Sequence, residues 1–336
     1  MRNTKLTWFR RLALLGTVLA LVVVVLGAWV RLSAAGLGCP DWPGCYGHLT
    51  VDQAAQNVDA INQAFPQRPF VYHKAIKEMV HRYFASTLGL VIVTLAVLAM
   101  LNRRDPNQPV ALPVALVGLV IFQGLLGMWT VTLLLKPLIV VLHLLGGLTT
   151  LALLAWLALG KPADVPDNEN LPGLRRVAVA ALVVLVLQIA LGGWTSSNYA
   201  ALACPDFPTC QNSLWPDMDV KDAFILWRGL GIDYEGGVLD HPARVAIHFV
   251  HRLGAVLAAL MLGFASVAAI RLGPTRGVRI AGAAVGAVLV CQLILGPVMV
   301  MRALPLTLAT AHNGVAALLL LSVVALYRQL PRATSL

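Results

Sequence analysis

Four of the eight histidines in this 336-residue chain fall inside long apolar segments rather than in polar loops. They are His81, His143, His251 and His312. An ionisable side chain inside a membrane span is costly, and it is a candidate functional group by default. Any one of them alone could equally be a hydrogen-bonded packing histidine. Two in each half of the chain, at matched positions, indicate instead a pair of axial ligands in each half.

Paired imidazoles on facing helices of a four-helix bundle suit six-coordinate haem, because the apolar interior dissolves the macrocycle while the propionates face the outer surface. A zinc site would need three or four clustered ligands, including cysteine or carboxylate. Arg82 and Arg252 each follow a candidate ligand directly and are candidate partners for propionates. The alternative is that both extend towards lipid head groups.

Eight apolar segments are long enough to cross a membrane, each having about 20 residues. With 59% hydrophobic and 12% charged residues, the chain is too apolar for a soluble globule, in which charged residues make up about 25%. No alternation of period two indicates an outer-membrane barrel. We therefore predict an all-α integral membrane protein with helices over 12–30, 79–101, 110–132, 138–159, 177–196, 245–270, 280–301 and 306–327.

The distribution of charge predicts the topology. If the N-terminus is cytoplasmic, the whole net charge of +10 lies on the cytoplasmic side, as the positive-inside rule requires. We expect a multi-pass protein of a bacterial-type cytoplasmic membrane, with both termini cytoplasmic and the long segments 31–77 and 197–243 extracytoplasmic. The first helix could be a cleaved signal peptide, but its apolar stretch exceeds the ~7 to 15 residues of a signal core. The scattered basic residues exclude a nucleic-acid partner.

The two halves of the chain repeat each other. CPDWPGC at 39–45 matches CPDFPTC at 204–210 with an offset of 165, and Trp29 matches Trp194 with the same offset. EMVHR matches HFVHR at 170, and His143 matches His312 at 169. We predict two tandem, pseudo-symmetric four-helix bundles: 1–160, a cytoplasmic linker at 161–176, and 177–336. Such a parallel duplication argues against an inverted-repeat transporter.

The cysteines predict two short disulfides, Cys39–Cys45 and Cys204–Cys210, since both pairs lie on the extracytoplasmic side, where disulfides persist. Each bridge either closes a local cap or has a redox role beside the haem pocket, and the sequence leaves both open. Cys291 lies in the middle of a predicted helix, where we expect it to pack in the core.

The clearest difference between the halves is Glu78 in the first against His248 in the second. Glu78 precedes His81 by three residues, so both lie on one helix face. A carboxylate beside the haem edge could accept protons during oxidation of a methyl group. The alternative is an ordinary salt bridge between Glu78 and Arg82.

Together these motifs resemble the haem A synthase family over essentially the whole chain. The similarity lies in EMVHR, HFVHRLG, QGLLGMWTV, QIALGGWT, AHNG and the paired CPDxPxC loops. It implies oxidation of the C8 methyl of haem o to the formyl group of haem a, for assembly of cytochrome oxidase. By this resemblance His81 and His143 hold the substrate haem, His251 and His312 hold haem b, and Glu78 is catalytic.

The resemblance also implies partners: haem o synthase, the cytochrome oxidase assembly machinery, membrane lipid and an electron acceptor that the sequence does not identify. The sequence leaves a homo-oligomer open. The competing function is a quinol-linked di-haem electron carrier without chemistry on the haem, which identical halves would suit better. If both histidines stay bound, the haem iron has no position for dioxygen. We therefore hypothesise water as the oxygen source with Glu78 as base, unless His143 leaves the iron during turnover.

Overall fold

The computed structural model describes residues 4–160 and 172–330. Within these residues the chain forms helices joined by loops, and the only β-type pairings there are single bridges between Cys45 and His48 and between Cys210 and Ser213. The helices are α1 (Thr4–Leu32), α2 (Val51–Ala55), α3 (Val58–Ala64), α4 (Tyr72–Leu101), α5 (Ala111–Thr132), α6 (Pro137–Leu159), α7 (Pro172–Ser197), α8 (Val220–Ala223), α9 (His241–Leu272), α10 (Arg276–Met301) and α11 (Leu306–Gln329).

Eight of these helices, α1, α4, α5, α6, α7, α9, α10 and α11, are long and apolar enough to cross a membrane. This confirms the predicted all-α fold with eight spans. Seven of these eight helices extend beyond the predicted segments, as where α4 begins at Tyr72 rather than at 79, whereas α5 begins one residue later than predicted. Hydropathy marks only the part of a helix that is continuously apolar.

The predicted linker at 161–176 is only partly covered by the structure. Its residues 161–171 lie outside the described residues, as do 1–3 and 331–336 at the ends of the predicted halves. The last part of that linker is helical, since α7 begins at Pro172. Proline suits the first turn of a helix, where its missing N–H has no intrahelical partner.

Helix packing follows the two halves of the chain. In the first half α1 packs against α4 and α6, and α5 also packs against α4 and α6. In the second half α7 and α10 make the same contacts with α9 and α11. The halves meet where α1 packs against α11 and where α6 packs against α7. Each of these two interfaces joins the first helix of one half to the last helix of the other.

Two turns at matched positions in the sequence share an unusual backbone conformation. Leu134 and Leu135, between α5 and α6, have φ of 51° and 60°, and Ala303 and Leu304, between α10 and α11, have φ of 55° and 62°. These turns are 169 residues apart, the same offset that separates His143 from His312. Two consecutive non-glycine residues with positive φ are uncommon, so their recurrence supports a common local design.

Both predicted disulfides, Cys39–Cys45 and Cys204–Cys210, are formed. They lie in the two long loops, which we call loop 1 (33–71) and loop 2 (198–240). The expectation for Cys291 is wrong, because its side chain is exposed on α10. Apolar side chains line both the helix interfaces and the outer faces of a membrane bundle, so apolar neighbours in the sequence do not distinguish the two positions.

Loop 2 crosses to the first half and contacts loop 1. Arg68 of loop 1 forms ion pairs with Asp233 and Glu235 of loop 2. The Tyr234 N–H donates to the carbonyl of Leu134 at 3.0 Å. Lys136 is buried under this segment, with its ammonium 3.8 Å from the ring centre of Trp227. Loop 2 therefore covers the α5–α6 turn of the first half.

Candidate active site

Glu78 is buried in α4 with only 5% of its surface exposed. Its Oε2 accepts a hydrogen bond from the backbone N–H of Cys39 at 2.9 Å. Its Oε1 lies 2.5 Å from Nη2 of Arg82 in an ion pair. The salt bridge between Glu78 and Arg82, which the sequence offered as the alternative, is thus present. Glu78 also lines a cavity, so its catalytic role stays a prediction.

Arg82 connects α4 to the disulfide loop above it. Its Nη1 donates to the carbonyl oxygens of Asp41 at 3.0 Å, Pro43 at 3.3 Å and Gly44 at 2.5 Å. Its Nη2 is bound to Glu78. The side chain therefore points into loop 1 rather than along the membrane surface, and most of its donors are already in use. Binding of a propionate by Arg82 stays a prediction.

The second half has the same construction with an imidazole in place of the carboxylate. Nδ1 of His248 accepts from the N–H of Cys204 at 3.3 Å, as Glu78 does from Cys39. Arg252 donates from Nε to His248 Nε2 at 3.3 Å and from its terminal nitrogens to the carbonyls of Thr209 at 2.8 Å and Cys204 at 2.7 Å. The exchange of Glu78 for His248 therefore changes the chemistry of this position while the loop attachment is retained.

A cavity of about 440 Å³ lies in the first half, and the four site residues predicted for that half line it. They are Glu78, His81, Arg82 and His143. Most of the remaining wall is apolar, which suits a porphyrin ring. The second half also contributes to the wall, through Gly193, Ser196 and Asn313.

Each of the four histidines packs against a glycine on a neighbouring helix. Without a side chain, glycine lets an imidazole approach the helix backbone closely. The glycines also repeat between the halves: Gly27 and Gly192 are 165 residues apart, as Trp29 and Trp194 are, and Gly127 and Gly296 are 169 apart, as His143 and His312 are. The distances from a Cβ built on the glycine to the ring Cε1 are 3.1 Å for Gly27–His81, 3.2 Å for Gly192–His251, 3.5 Å for Gly127–His143 and 3.5 Å for Gly296–His312.

The buried ring nitrogens of three histidines lack hydrogen-bond partners among the described residues. These atoms are Nδ1 of His81, His143 and His312. A buried polar atom without a partner is costly, and a ligating histidine commonly forms a hydrogen bond through the ring nitrogen that does not bind the metal. No group of three or more His, Cys, Asp or Glu residues in the described part of the chain could hold a metal ion. Paired histidines in an apolar bundle therefore fit haem better than a small ion.

Comparison with known proteins assigns the family. The sequence matches the COX15-CtaA family, described as cytochrome oxidase assembly protein, over residues 10–324. This chain belongs to the cytochrome oxidase assembly protein family. It is 42% identical over 322 residues to a protein named heme A synthase from Shewanella oneidensis, with 95% of each chain covered. It is 28% identical over 323 residues to a heme A synthase of Caulobacter vibrioides, with 89% of each covered.

A more distant relative, a heme A synthase of Halalkalibacterium halodurans, is 27% identical over 271 residues, covering 78% of this chain and 77% of the relative. The resemblance to the haem A synthase family inferred from the motifs is confirmed. In keeping with its family and its eight apolar helices, the chain is a multi-pass membrane protein.

Two features of this member of the cytochrome oxidase assembly protein family escaped the sequence reasoning. The first is the set of glycines beside the histidines, which the repeat offsets could have revealed. The second is Gln188, whose Nε2 lies 3.1 Å from Nδ1 of His251 and donates to the His251 carbonyl at 3.0 Å. The matched position in the first half is Val23, so the repeat gives no signal for Gln188.

Proposed function

We propose that this protein oxidises the C8 methyl of haem o to the formyl group of haem a, for use by cytochrome oxidase. The observation that carries this proposal is that the Glu78 carboxylate lines the same cavity as His81 and His143. These two histidines would bind the substrate haem, and Glu78 would lie beside the edge of its ring. The names of the relatives support the same reaction.

The reaction replaces a methyl group by a formyl group. With water as the oxygen source, CH₃ and H₂O give CHO, four protons and four electrons. If His81 and His143 both bind the iron, no position would be left for dioxygen, and water would then be the oxygen source. The electrons pass to an acceptor outside the substrate, and the protons must leave through groups of this chain.

Glu78 would take the protons. Its carboxylate is buried beside the cavity and is held in position by the Cys39 N–H and by Arg82. A fixed carboxylate within reach of the reacting carbon can act as general base towards water and towards the methyl protons. In the second half, His248 at the matched position has no anionic charge, which explains why only one half would carry out the reaction.

His251 and His312 would hold a b-type haem, which supplies one-electron transfer when bound. Asn313 directly follows His312 on α11 and lines the first-half cavity. The second site is therefore adjacent to the first, and this contact supports electron transfer between them. Arg252 would lie near the propionates of this second haem.

The topology and the partners complete the proposal. The charge distribution supports cytoplasmic termini and extracytoplasmic loops with their disulfides. Haem o synthase would deliver the substrate, the assembly machinery of cytochrome oxidase would receive the product, and the surrounding lipid would contact the apolar outer faces. The electron acceptor and any homo-oligomer are to be identified by experiment.

Extraction and mass analysis of the bound haems tests the function. The protein is purified from cells that also produce haem o, in parallel with Glu78→Gln and with the matched control His248→Gln. We expect haem b together with haem o, a hydroxylated intermediate and haem a in the native protein and in the control. Glu78→Gln should retain haem o and lose the oxidised products by about 100-fold or more, as for removal of a general base.

The same experiment decides between the two functions. Haem b alone, at two per chain in native protein and variants, would show an electron carrier. Growth in heavy-oxygen water should place the label in the formyl group, whereas label arriving only from heavy dioxygen would contradict water as the oxygen source.

A further inference from the structure

Arg31 is a second arginine in the wall of the first-half cavity, and it lies in the last turn of α1. Its Nη2 donates to the carbonyl of Ser196 at 2.7 Å and more weakly to that of Ser197 at 3.4 Å. Its Cζ lies 4.2 Å from the ring centre of Tyr199. The side chain therefore crosses from the first half to the C-terminal end of α7 and is fixed there.

The two halves have different residues at the position of Arg31. Arg31 and Ser196 are 165 residues apart, the same offset that relates Trp29 to Trp194. The arginine thus contacts its own counterpart across the interface between the halves. The first half places a cation at this position, and the second half places a neutral serine there.

Within the described residues, no carboxylate neutralises the charge of Arg31. None of the ion pairs found in residues 4–160 and 172–330 includes Arg31. Its Nε is buried and has no hydrogen-bond partner among these residues. Arg82, by contrast, already has a carboxylate partner in Glu78. A fixed guanidinium with a free buried donor in the wall of a largely apolar cavity is suited to bind an anion.

We propose that Arg31 binds a propionate carboxylate of the haem substrate in the first-half cavity. This inference rests on the proposed function. A carboxylate is the anionic group that such a substrate offers, and a charge-assisted hydrogen bond from a guanidinium is stronger than a neutral one. Arg31 is fixed by Ser196 and Tyr199, so little further ordering is needed when the carboxylate binds.

The chemistry of the porphyrin gives this contact a function. The C8 methyl and one propionate are neighbours on the same pyrrole ring. Holding that propionate at Arg31 restricts where the methyl can lie relative to Glu78, which lines the same cavity. Arg31 is therefore a positioning residue for the oxidation. Because Ser196 takes its place in the other half, the structure provides this positioning for one haem only.

A binding titration tests the role of Arg31 without relying on turnover. The protein is purified with its haem b from cells lacking haem o and is titrated with haem o or with haem o dimethyl ester. Binding is followed by the change in Soret absorbance. We expect the native protein to bind the free acid about tenfold more tightly than the ester, a difference equivalent to about 1.4 kcal/mol.

Three variants test whether Arg31 causes the preference for the free acid over the ester. Arg31→Gln should bind acid and ester equally, and Arg31→Lys, which keeps the charge, should restore part of the preference. Arg302→Gln removes a positive charge from an exposed position, so it should keep the native preference. In turnover, Arg31→Gln should raise KM for haem o and increase the release of incompletely oxidised haem.

Two results would overturn the inference while leaving the proposed function intact. One is a native protein that binds acid and ester equally, which needs no variant to fold. The other is an Arg31→Gln protein that keeps the native preference, which would place the carboxylate contact elsewhere. A native protein that binds neither form would instead refute the proposed function, and this inference with it.

Discussion

The imidazole of His81 packs against Gly27 of the neighbouring α1, where a built Cβ would stand only 3.1 Å from the ring Cε1. A valine at this position would place two further methyl groups against the ring, and the overpacking of a tight site costs about 1 to 3 kcal/mol. We therefore expect Gly27→Val to displace His81 and to lower the first-half haem content about tenfold. Haem extraction and mass analysis would measure this loss.

The repeat supplies matched controls for that substitution. Gly192→Val should act in the same way on His251, where the built Cβ lies 3.2 Å from the ring, and should deplete haem b instead. Gly118→Val should change neither haem, because nothing lies within 4 Å of a Cβ at Gly118. Equal loss of both haems from Gly27→Val would indicate general unfolding rather than displacement of one ligand.

The role of the first disulfide can be tested by its removal. The Cys39–Cys45 loop holds Glu78 through the Cys39 N–H and is itself held by Arg82. The turn has a second support, because the Asp41 carboxylate accepts from two backbone N–H groups on the far side of the loop, at 2.6 and 2.7 Å. If the bridge is structural, replacing both cysteines by serine should lower haem a formation about tenfold and leave haem b unchanged.

A redox role for the same bridge predicts a different outcome. In that case haem a formation would stop completely in the double serine variant, although haem o would still be bound. The matched variant with serine at Cys204 and Cys210 should affect the second half, with loss of haem b as its main effect. Quantifying haem o, haem a and haem b in each variant distinguishes the two roles.

Loop 1 should lose stability in alkali because of Tyr46. Burial, followed by the nearby charges of Glu78 and Asp41, raises the pKa of Tyr46 to about 12, from 10.0. Between these values the unfolded loop would lose the phenolic proton while the folded loop retains it. Stability contributed by neutral Tyr46 is therefore fully present below about pH 10 and is lost as the pH rises towards 12.

Limited proteolysis of loop 1 between pH 8 and pH 11.5 would reveal this loss. The Tyr46 hydroxyl donates to the carbonyls of Arg68 and Pro69, so Tyr46→Phe should be less stable at pH 8 but should lose the steep alkaline dependence. An unchanged alkaline dependence in Tyr46→Phe would assign it to another group.

The sequence was a good guide to properties that depend on local pattern. Hydropathy identified the eight spans, and the repeat offsets identified His81 and His143, which line one cavity with Glu78. Contacts between the halves depend on the path of the chain in space. No local pattern indicated that Arg68 of loop 1 would pair with Asp233 of loop 2, or that Arg31 would reach Ser196.

The sequence also did not distinguish lipid-facing positions from core positions. Cys291 lies among valine, leucine and isoleucine residues on α10 and is nevertheless exposed. In water, burial removes apolar side chains from solvent, and the apolar face of a helix marks the core. In a membrane both faces are apolar, so this distinction disappears. Small residues such as Gly27 and Gly192, which the sequence reasoning did not use, would have been the more informative signal, because close helix contacts require them.

The last prediction concerns Gln188, which has no counterpart in the first half. Its amide lies 3.1 Å from Nδ1 of His251, and a partner on the second ring nitrogen of a ligating histidine typically changes metal affinity by about 10- to 100-fold. We expect Gln188→Leu to retain haem b at least tenfold more weakly, because the His251 ring loses its side-chain partner. Titration of the haem-depleted protein with haem b would measure the affinity.

The reciprocal substitution makes this test specific. Val23 occupies the matched position on α1 and lines the cavity that holds His81. An amide placed there by Val23→Gln could supply the partner that Nδ1 of His81 lacks, and the first half should then retain its haem more tightly. If haem b affinity is unchanged in Gln188→Leu, the amide does not support His251 as a ligand. The tighter retention in Val23→Gln would then have to come from contact with the haem itself.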